Sequence, residues 1–106
     1  MRGDLVTVVL PGDYGKPRPA IVVQSDAFPH LSSTTVLPLT TTLFEQQLLR
    51  ISVEPTATNG LRQLSQVMID KVTTIRNDKV GVAIGKLDDE TMVRIDRAIA
   101  LFFGFG

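Results

Sequence analysis

Arg18 stands between two prolines in the segment Gly15-Lys16-Pro17-Arg18-Pro19-Ala20. Proline fixes its own φ and restricts the residue before it, so the backbone on both sides of this guanidinium has little freedom. Two states are open to such a side chain. It can be a solvated loop cation, or an anion clamp whose planar fork matches a phosphate bidentately. A second polar group follows the apolar stretch Val36-Leu37-Pro38-Leu39. There Thr40, Thr41 and Thr42 bring three hydroxyls that can donate to a phosphate oxygen or a 2′-hydroxyl, or serve as ordinary strand and cap residues. In the third, Asp70 interrupts an apolar run across residues 65–75, where it can act as a base, as an acceptor for a nucleobase, or as a turn residue. Residues 62–79 carry Arg62, Lys71, Arg76 and Lys79 against Asp70 and Asp78, an excess of cations with the sign that RNA requires.

Composition narrows what these groups can do. Among 106 residues there are 11 Lys and Arg, 11 Asp and Glu, one histidine and no cysteine. No disulfide framework or thiolate metal site is available. One histidine supplies neither a paired-imidazole mechanism nor an H-E-x-x-H zinc site, and no metal or cofactor is expected. Zero net charge argues against a protein that coats nucleic acid without regard to sequence, because such binding is driven by phosphate neutralisation. It leaves room for a local basic cleft. The length suits one domain over residues 1–106. Apolar runs reach only four or five residues, so nothing is expected to span a membrane. No long apolar stretch follows Met1-Arg2-Gly3-Asp4, so no signal peptide is expected either, and the expected address is the cytoplasm.

Short strands must position the polar groups. Leu5-Val6-Thr7-Val8-Val9-Leu10 is apolar and largely β-branched, and Pro11-Gly12-Asp13 stops it. Further strands are predicted at Ala20-Ile21-Val22-Val23-Gln24, at Thr34-Thr35-Val36-Leu37-Pro38-Leu39-Thr40, at Leu49-Arg50-Ile51-Ser52-Val53 and at Val82-Ala83-Ile84-Gly85-Lys86. Pro38 suggests an edge or a bulge. Residues 66–75 form one bent strand or two. Five to seven short strands suggest a small barrel or a strongly coiled sheet. A helix follows. Asp88 is its N-cap, Asp89 and Glu90 favour the positive end of the dipole, and Leu87 and Met92 have the spacing of a hydrophobic staple. Met92, Ile95, Ile99 and Phe102 define an apolar stripe, and Gly104 and Gly106 end the helix.

Four segments, in this order and spacing, resemble the MazF/PemK/Kid family of toxins from bacterial toxin–antitoxin pairs. They are Arg2-Gly3-Asp4-Leu5-Val6, Arg18-Pro19-Ala20-Ile21-Val22-Val23, Val36-Leu37-Pro38-Leu39-Thr40-Thr41, and the stretch from Gln66-Val67 to Ile75. The resemblance implies a mainly β fold with a C-terminal helix, a small SH3-like barrel of the CcdB/PemK-like type. It also implies a homodimer that cleaves single-stranded RNA, mRNA included, without a metal, inhibits growth and is neutralised by an acidic antitoxin. It places the catalytic arginine on Arg18 and its hydroxyl partner on Thr40, followed by Thr41. It assigns Asp70 to RNA binding or catalysis. The arginine that some members carry two residues before that aspartate is Met68 here. Relatives often have a longer first loop with a G-S-E-Q segment, where this chain has Pro11 to Pro17 with Asp13 and Tyr14.

Metal-free RNA cleavage uses the neighbouring 2′-hydroxyl as nucleophile and leaves a 2′,3′-cyclic phosphate and a 5′-hydroxyl. Arg18 suits stabilisation of the dianionic phosphorane, since a guanidinium with a pKa above ~12 is a poor base. Thr40 would orient a phosphate oxygen or the 2′-hydroxyl, and Asp70 is the candidate base. Lys16, Lys71 and Arg76 are candidate RNA contacts, and the loop aromatics Tyr14 and Phe28 are candidate stacking platforms. His30 reads as a solvated loop histidine, and Phe102, Phe103 and Phe105 as core or dimer contacts. The competing resemblance is to CcdB-like gyrase poisons, carried by the tail Leu101-Phe102-Phe103-Gly104-Phe105-Gly106. Those chains share the fold but lack the R-P-[AV] arginine. An inert SH3-like binding module is a third reading.

Overall fold

A computed structural model describes residues 1–45 and 48–105. Seven strands and one helix follow in chain order: β1 Asp4–Val8, β2 Arg18–Val22, β3 Ser33–Thr40, β4 Arg50–Val53, β5 Ser65–Met68, β6 Thr73–Arg76, β7 Val80–Lys86 and α1 Asp89–Phe103. All pairings are antiparallel, and the strand order is β4-β5-β3-β2-β1-β7, with β6 also paired to β3. The mainly antiparallel β fold with a C-terminal helix is the expected class. No helix among the described residues is long and apolar enough to cross a membrane.

Both faces of the central strands β1, β2 and β3 are buried, which is why they read as near-continuous apolar runs. Successive side chains in a strand point to opposite faces. Leu5, Ile21, Leu37, Leu39, Ile51, Val67 and Ile69 pack with Met92, Ile95 and Ala98 of α1. Their neighbours Val6, Val8, Ala20, Val22 and Val36 form a second cluster with Ile75 on the other side.

β3 is the hub. Residues Ser33–Val36 pair with β6, Leu39 and Thr40 pair with β5, and Val36–Pro38 pair with β2 on the other side. Pro38 is therefore neither at an edge nor at a bulge, contrary to the expectation from sequence. It is buried between the two ladders that β3 makes with β6 and β5, where a missing N–H interrupts neither. β1 stops at Val8, and β2 starts at Arg18 rather than Ala20, so the arginine is the first strand residue, opposite Val8. Residues 65–76 are two strands separated by a 3-10 turn at Ile69–Lys71, which holds Asp70.

The helix begins as its sequence dictates. Asp88 accepts from the backbone N–H and the hydroxyl of Thr91, and Leu87 and Met92 are both buried. Gly104, at φ +85°, caps the other end in the left-handed region that glycine adopts without strain. Gly106 lies outside the described residues. The buried stripe is Met92, Ile95 and Ala98, with Ile99 at its margin; Phe102 is turned outward.

Candidate functional site

The connection from β1 to β2 folds back on itself. Asp13 N–H donates to the Leu10 carbonyl at 3.1 Å, and Lys16 N–H donates to the Asp13 carbonyl at 3.0 Å. Tyr14 takes φ +52°, the one positive φ outside glycine among the described residues, and its side chain is 97% exposed. A left-handed tyrosine with no packing around it is strained, and such strain concentrates at functional sites.

This fold-back brings Asp13 against Arg18. Arg18 Nη2 donates to Asp13 Oδ1 at 2.9 Å, and Nε lies 2.8 Å from Oδ2. Oδ2 is buried and accepts no well-aligned hydrogen bond, so its contact with Nε is electrostatic. Asp13 engages the Nε/Nη2 edge of the guanidinium, which leaves the Nη1/Nη2 edge for an anion. Sequence reasoning missed Asp13 as a site residue. Its only signal was an acid five positions before the arginine in a loop bounded by Pro11 and Pro17.

Arg18 forms the wall between two cavities. The first, about 330 Å³, is lined by Asp13, Lys16, Arg18, Thr40, Thr41 and Thr42. Thr40 Oγ1 accepts the Thr42 N–H at 3.1 Å, an arrangement that leaves the hydroxyl proton to donate into the cleft. The second, about 640 Å³, is lined by Arg18, Asp70 and Lys71 among others. The fold thus gathers Arg18 with Thr40, Thr41 and Lys16 on one side and with Asp70 and Lys71 on the other. It does not place Arg76 there. That residue pairs with Asp78 at 2.7 Å and borders a third cavity of about 660 Å³. Tyr14 lines none of these cavities. Phe28 and His30 are exposed in the loop before β3.

Asp70 is held by Arg50 of β4. Arg50 Nη1 donates both to Asp70 Oδ1 and, at 3.2 Å, to the Leu49 carbonyl. Its guanidinium also lies over the Phe44 ring, 5.1 Å from the centroid. Burial pushes the Asp70 carboxyl up. The hydrogen bond and charge of Arg50, its own backbone N–H and Lys71 outweigh this and leave it below the usual carboxylate value. Among the described residues no three His, Cys, Asp or Glu side chains are grouped to hold a metal ion.

The chain as a whole is similar to known proteins. A family model described as PemK-like, MazF-like toxin of type II toxin-antitoxin system matches residues 1–103. The chain is 45% identical over 104 residues to a probable endoribonuclease MazF of Mycolicibacterium smegmatis, spanning 97% of this chain and 95% of that protein. Among solved structures it is similar to the Mycobacterium tuberculosis toxin MazF-mt6, with TM-score 0.83, 30% identity and coverage of 97% of this chain and 98% of that one. A mycobacterial endoribonuclease in complex with its cognate antitoxin shares the fold, with TM-score 0.84, 23% identity and coverage of 100% and 96%.

Proposed function

The chain belongs to the PemK-like, MazF-like toxin family, and on that footing we propose that it is an endoribonuclease toxin that cleaves single-stranded RNA by 2′-hydroxyl attack. The observation that carries this reading is the guanidinium of Arg18, fixed on one edge by Asp13 and open on the other, in a cleft with the Thr40 hydroxyl. An anion entering there meets a fixed charge and a hydroxyl donor. A transition state that gains negative charge on phosphorus needs such preorganised groups.

The steps balance as follows. The 2′-oxygen attacks phosphorus and its proton passes to Asp13, whose carboxylate shares the cleft with Arg18 and Thr40. Arg18 and Thr40 stabilise the two charged oxygens of the phosphorane. The P–O5′ bond then breaks, and the alkoxide, far more basic than guanidine, takes a proton from Arg18; Arg18 regains one from solvent and Asp13 releases its own to solvent. The products are a 2′,3′-cyclic phosphate and a 5′-hydroxyl. Asp13 suits the base better than Asp70 by position, because it lines the cleft that holds Arg18 and Thr40, whereas Asp70 lines the neighbouring cavity.

The same reading makes the protein a cytoplasmic homodimer that degrades mRNA, inhibits growth and is silenced by an acidic antitoxin laid over Arg18 and its neighbouring cations. The test is a labelled RNA beside the same sequence with 2′-deoxy positions. Cutting of the first only, with cyclic phosphate ends, is the expected result. Arg18→Ala and Thr40→Val should each lower the rate roughly a hundred- to a thousand-fold. Wild-type rates from Arg18→Ala would refute the assignment. Intact RNA together with trapped gyrase–DNA complexes would favour gyrase poisoning instead.

A further inference from the structure

Arg50 and Asp70 lie 20 positions apart in sequence, and the sheet brings them together. β4 and β5 pair in a register that sets Arg50 opposite Met68, two residues before Asp70. The Arg50 side chain is 14% exposed and that of Asp70 is 28% exposed. The pair is therefore not a loose surface contact. The arginine is anchored from below by Phe44 and the Leu49 carbonyl, while the aspartate reaches the wall of the cavity that it shares with Arg18. Arg50 Nε is itself buried without a hydrogen-bond partner, so the side chain is placed for Asp70 at the expense of one of its own donors. Such a cost is hard to explain by stability alone, since a buried ion pair is weak evidence for net stabilisation.

We propose that Arg50 is a positioning residue that fixes Asp70 as a hydrogen-bond acceptor beside the Arg18 cleft, where Asp70 Oδ2 reads the amino group of a cytosine or adenine next to the bound phosphate. The proposal rests on the RNA-cleaving reading and adds a base preference to it. Arg50 takes Oδ1, and none of the described side chains donates to Oδ2. An ionised carboxylate can only accept, and the exocyclic amine of cytosine is a donor where uracil presents a carbonyl. Uracil at that position sets two acceptors against each other. Arg18 lines both cavities, so a phosphate held in the Thr40 cleft sets the neighbouring base at the cavity that Arg18 shares with Asp70.

The experiment has a cutting arm and a binding arm. In the first, a random RNA pool is cut by wild type, Asp70→Asn, Arg50→Met and the exchange variant Arg50→Met/Met68→Arg, and the bases flanking each cut are counted. In the second, fluorescent oligomers of deoxycytidine and deoxyuridine, which cannot be cleaved, are titrated against the same proteins. Wild type should favour amine-bearing bases at one flanking position, and deoxycytidine over deoxyuridine, by on the order of tenfold. Asp70→Asn, whose amide can donate as well as accept, should level the preference among the cuts that it makes and between the two uncleavable oligomers. Arg50→Met should weaken the preference, and the exchange variant should restore it by supplying a guanidinium from the facing strand.

Equal use of cytosine and uracil by wild type in both arms overturns the proposal. So does a preference that survives Asp70→Asn. A wild type that cuts nothing but still binds deoxycytidine selectively removes the nuclease reading and leaves the Asp70 acceptor standing.

Discussion

At the scale of single residues, the pairing of Asp13 with Arg18 decides how the cleft works. The carboxylate holds the guanidinium at one edge and competes, as an anion, with the phosphate that the other edge is to bind. Asp13→Asn keeps the shape and removes both the charge and the proton acceptor. Cleavage should fall by roughly a hundredfold or more, the usual worth of a positioned base. Binding of a 2′-deoxy oligomer should hold or tighten, because a competing anion is gone. Unchanged cleavage with Asp13→Asn would remove it from the mechanism. Arg18 and Thr40 stood out as candidates because flanking prolines and a strand-ending run of hydroxyls are local marks, and the family resemblance supplied their proposed roles. Asp13 did not, because an acid after Pro11-Gly12 is equally an ordinary turn residue, and only the closed loop turns it inward. Arg50 was hidden for a different reason: strand register, not local sequence, brings it to Asp70.

Secondary-structure elements were more legible than their contacts. β-branched runs between Pro, Gly and Asp marked the strands, and the staple and cap marked the helix, because those signals act within a few residues. Pro38 misled because its missing N–H matters only relative to partners, and β3 changes partners at that point. The outward turn of Phe102 has a similar origin, since α1 meets the sheet mainly through its first turns and the Ile69–Lys71 segment. The cap makes a quantitative demand on pH. The Thr91 hydroxyl holds the Asp88 carboxyl below the usual value; desolvation opposes this, and the backbone N–H of Thr91 and the charge of Arg94 add to it. A carboxyl depressed in the folded state contributes stability above its unfolded pKa of about 3.9 and loses it as pH falls through the lower folded value. Asp70 is depressed in the same direction by Arg50. Acid titration followed by circular dichroism should therefore show wild-type stability falling below about pH 4. Asp88→Ala should be less stable at neutral pH and show a shallower loss on acidification. An acid transition unchanged in Asp88→Ala would mean that the cap carries no pH-dependent stability.

The whole molecule exposes more apolar surface than its strands and helix need for their own packing. On β7, which pairs only with β1, Val82 is 80% exposed and Ile84 is exposed beside it. The open edge is short, because the loop before β5 closes over its far end. Lys86 N–H donates to the Thr58 carbonyl at 3.0 Å, and the Ile84 carbonyl sits so close to Gly60 that a Cβ there would meet it at 2.2 Å. At the end of α1, Leu101, Phe102, Phe103 and Phe105 are all exposed, and the Phe103 and Phe105 rings stack with centroids 6.1 Å apart. Contiguous apolar surface of this kind marks an interaction face, and an uncovered strand edge invites pairing. A homodimer that covers one of these two patches would account for that patch, and a chain of zero net charge has little repulsion to oppose association. Light scattering at micromolar concentration should therefore give twice the chain mass. Val82→Lys and the double variant Phe103→Ser/Phe105→Ser, made separately, should identify the face: one should yield a folded monomer, and the other should leave the dimer intact. A monomeric wild type, or dimers that survive both changes, would refute this assignment of the exposed surface. A monomer that still cuts RNA would show that each Arg18 cleft works alone, and one that binds RNA without cutting it would show that the second copy completes the site.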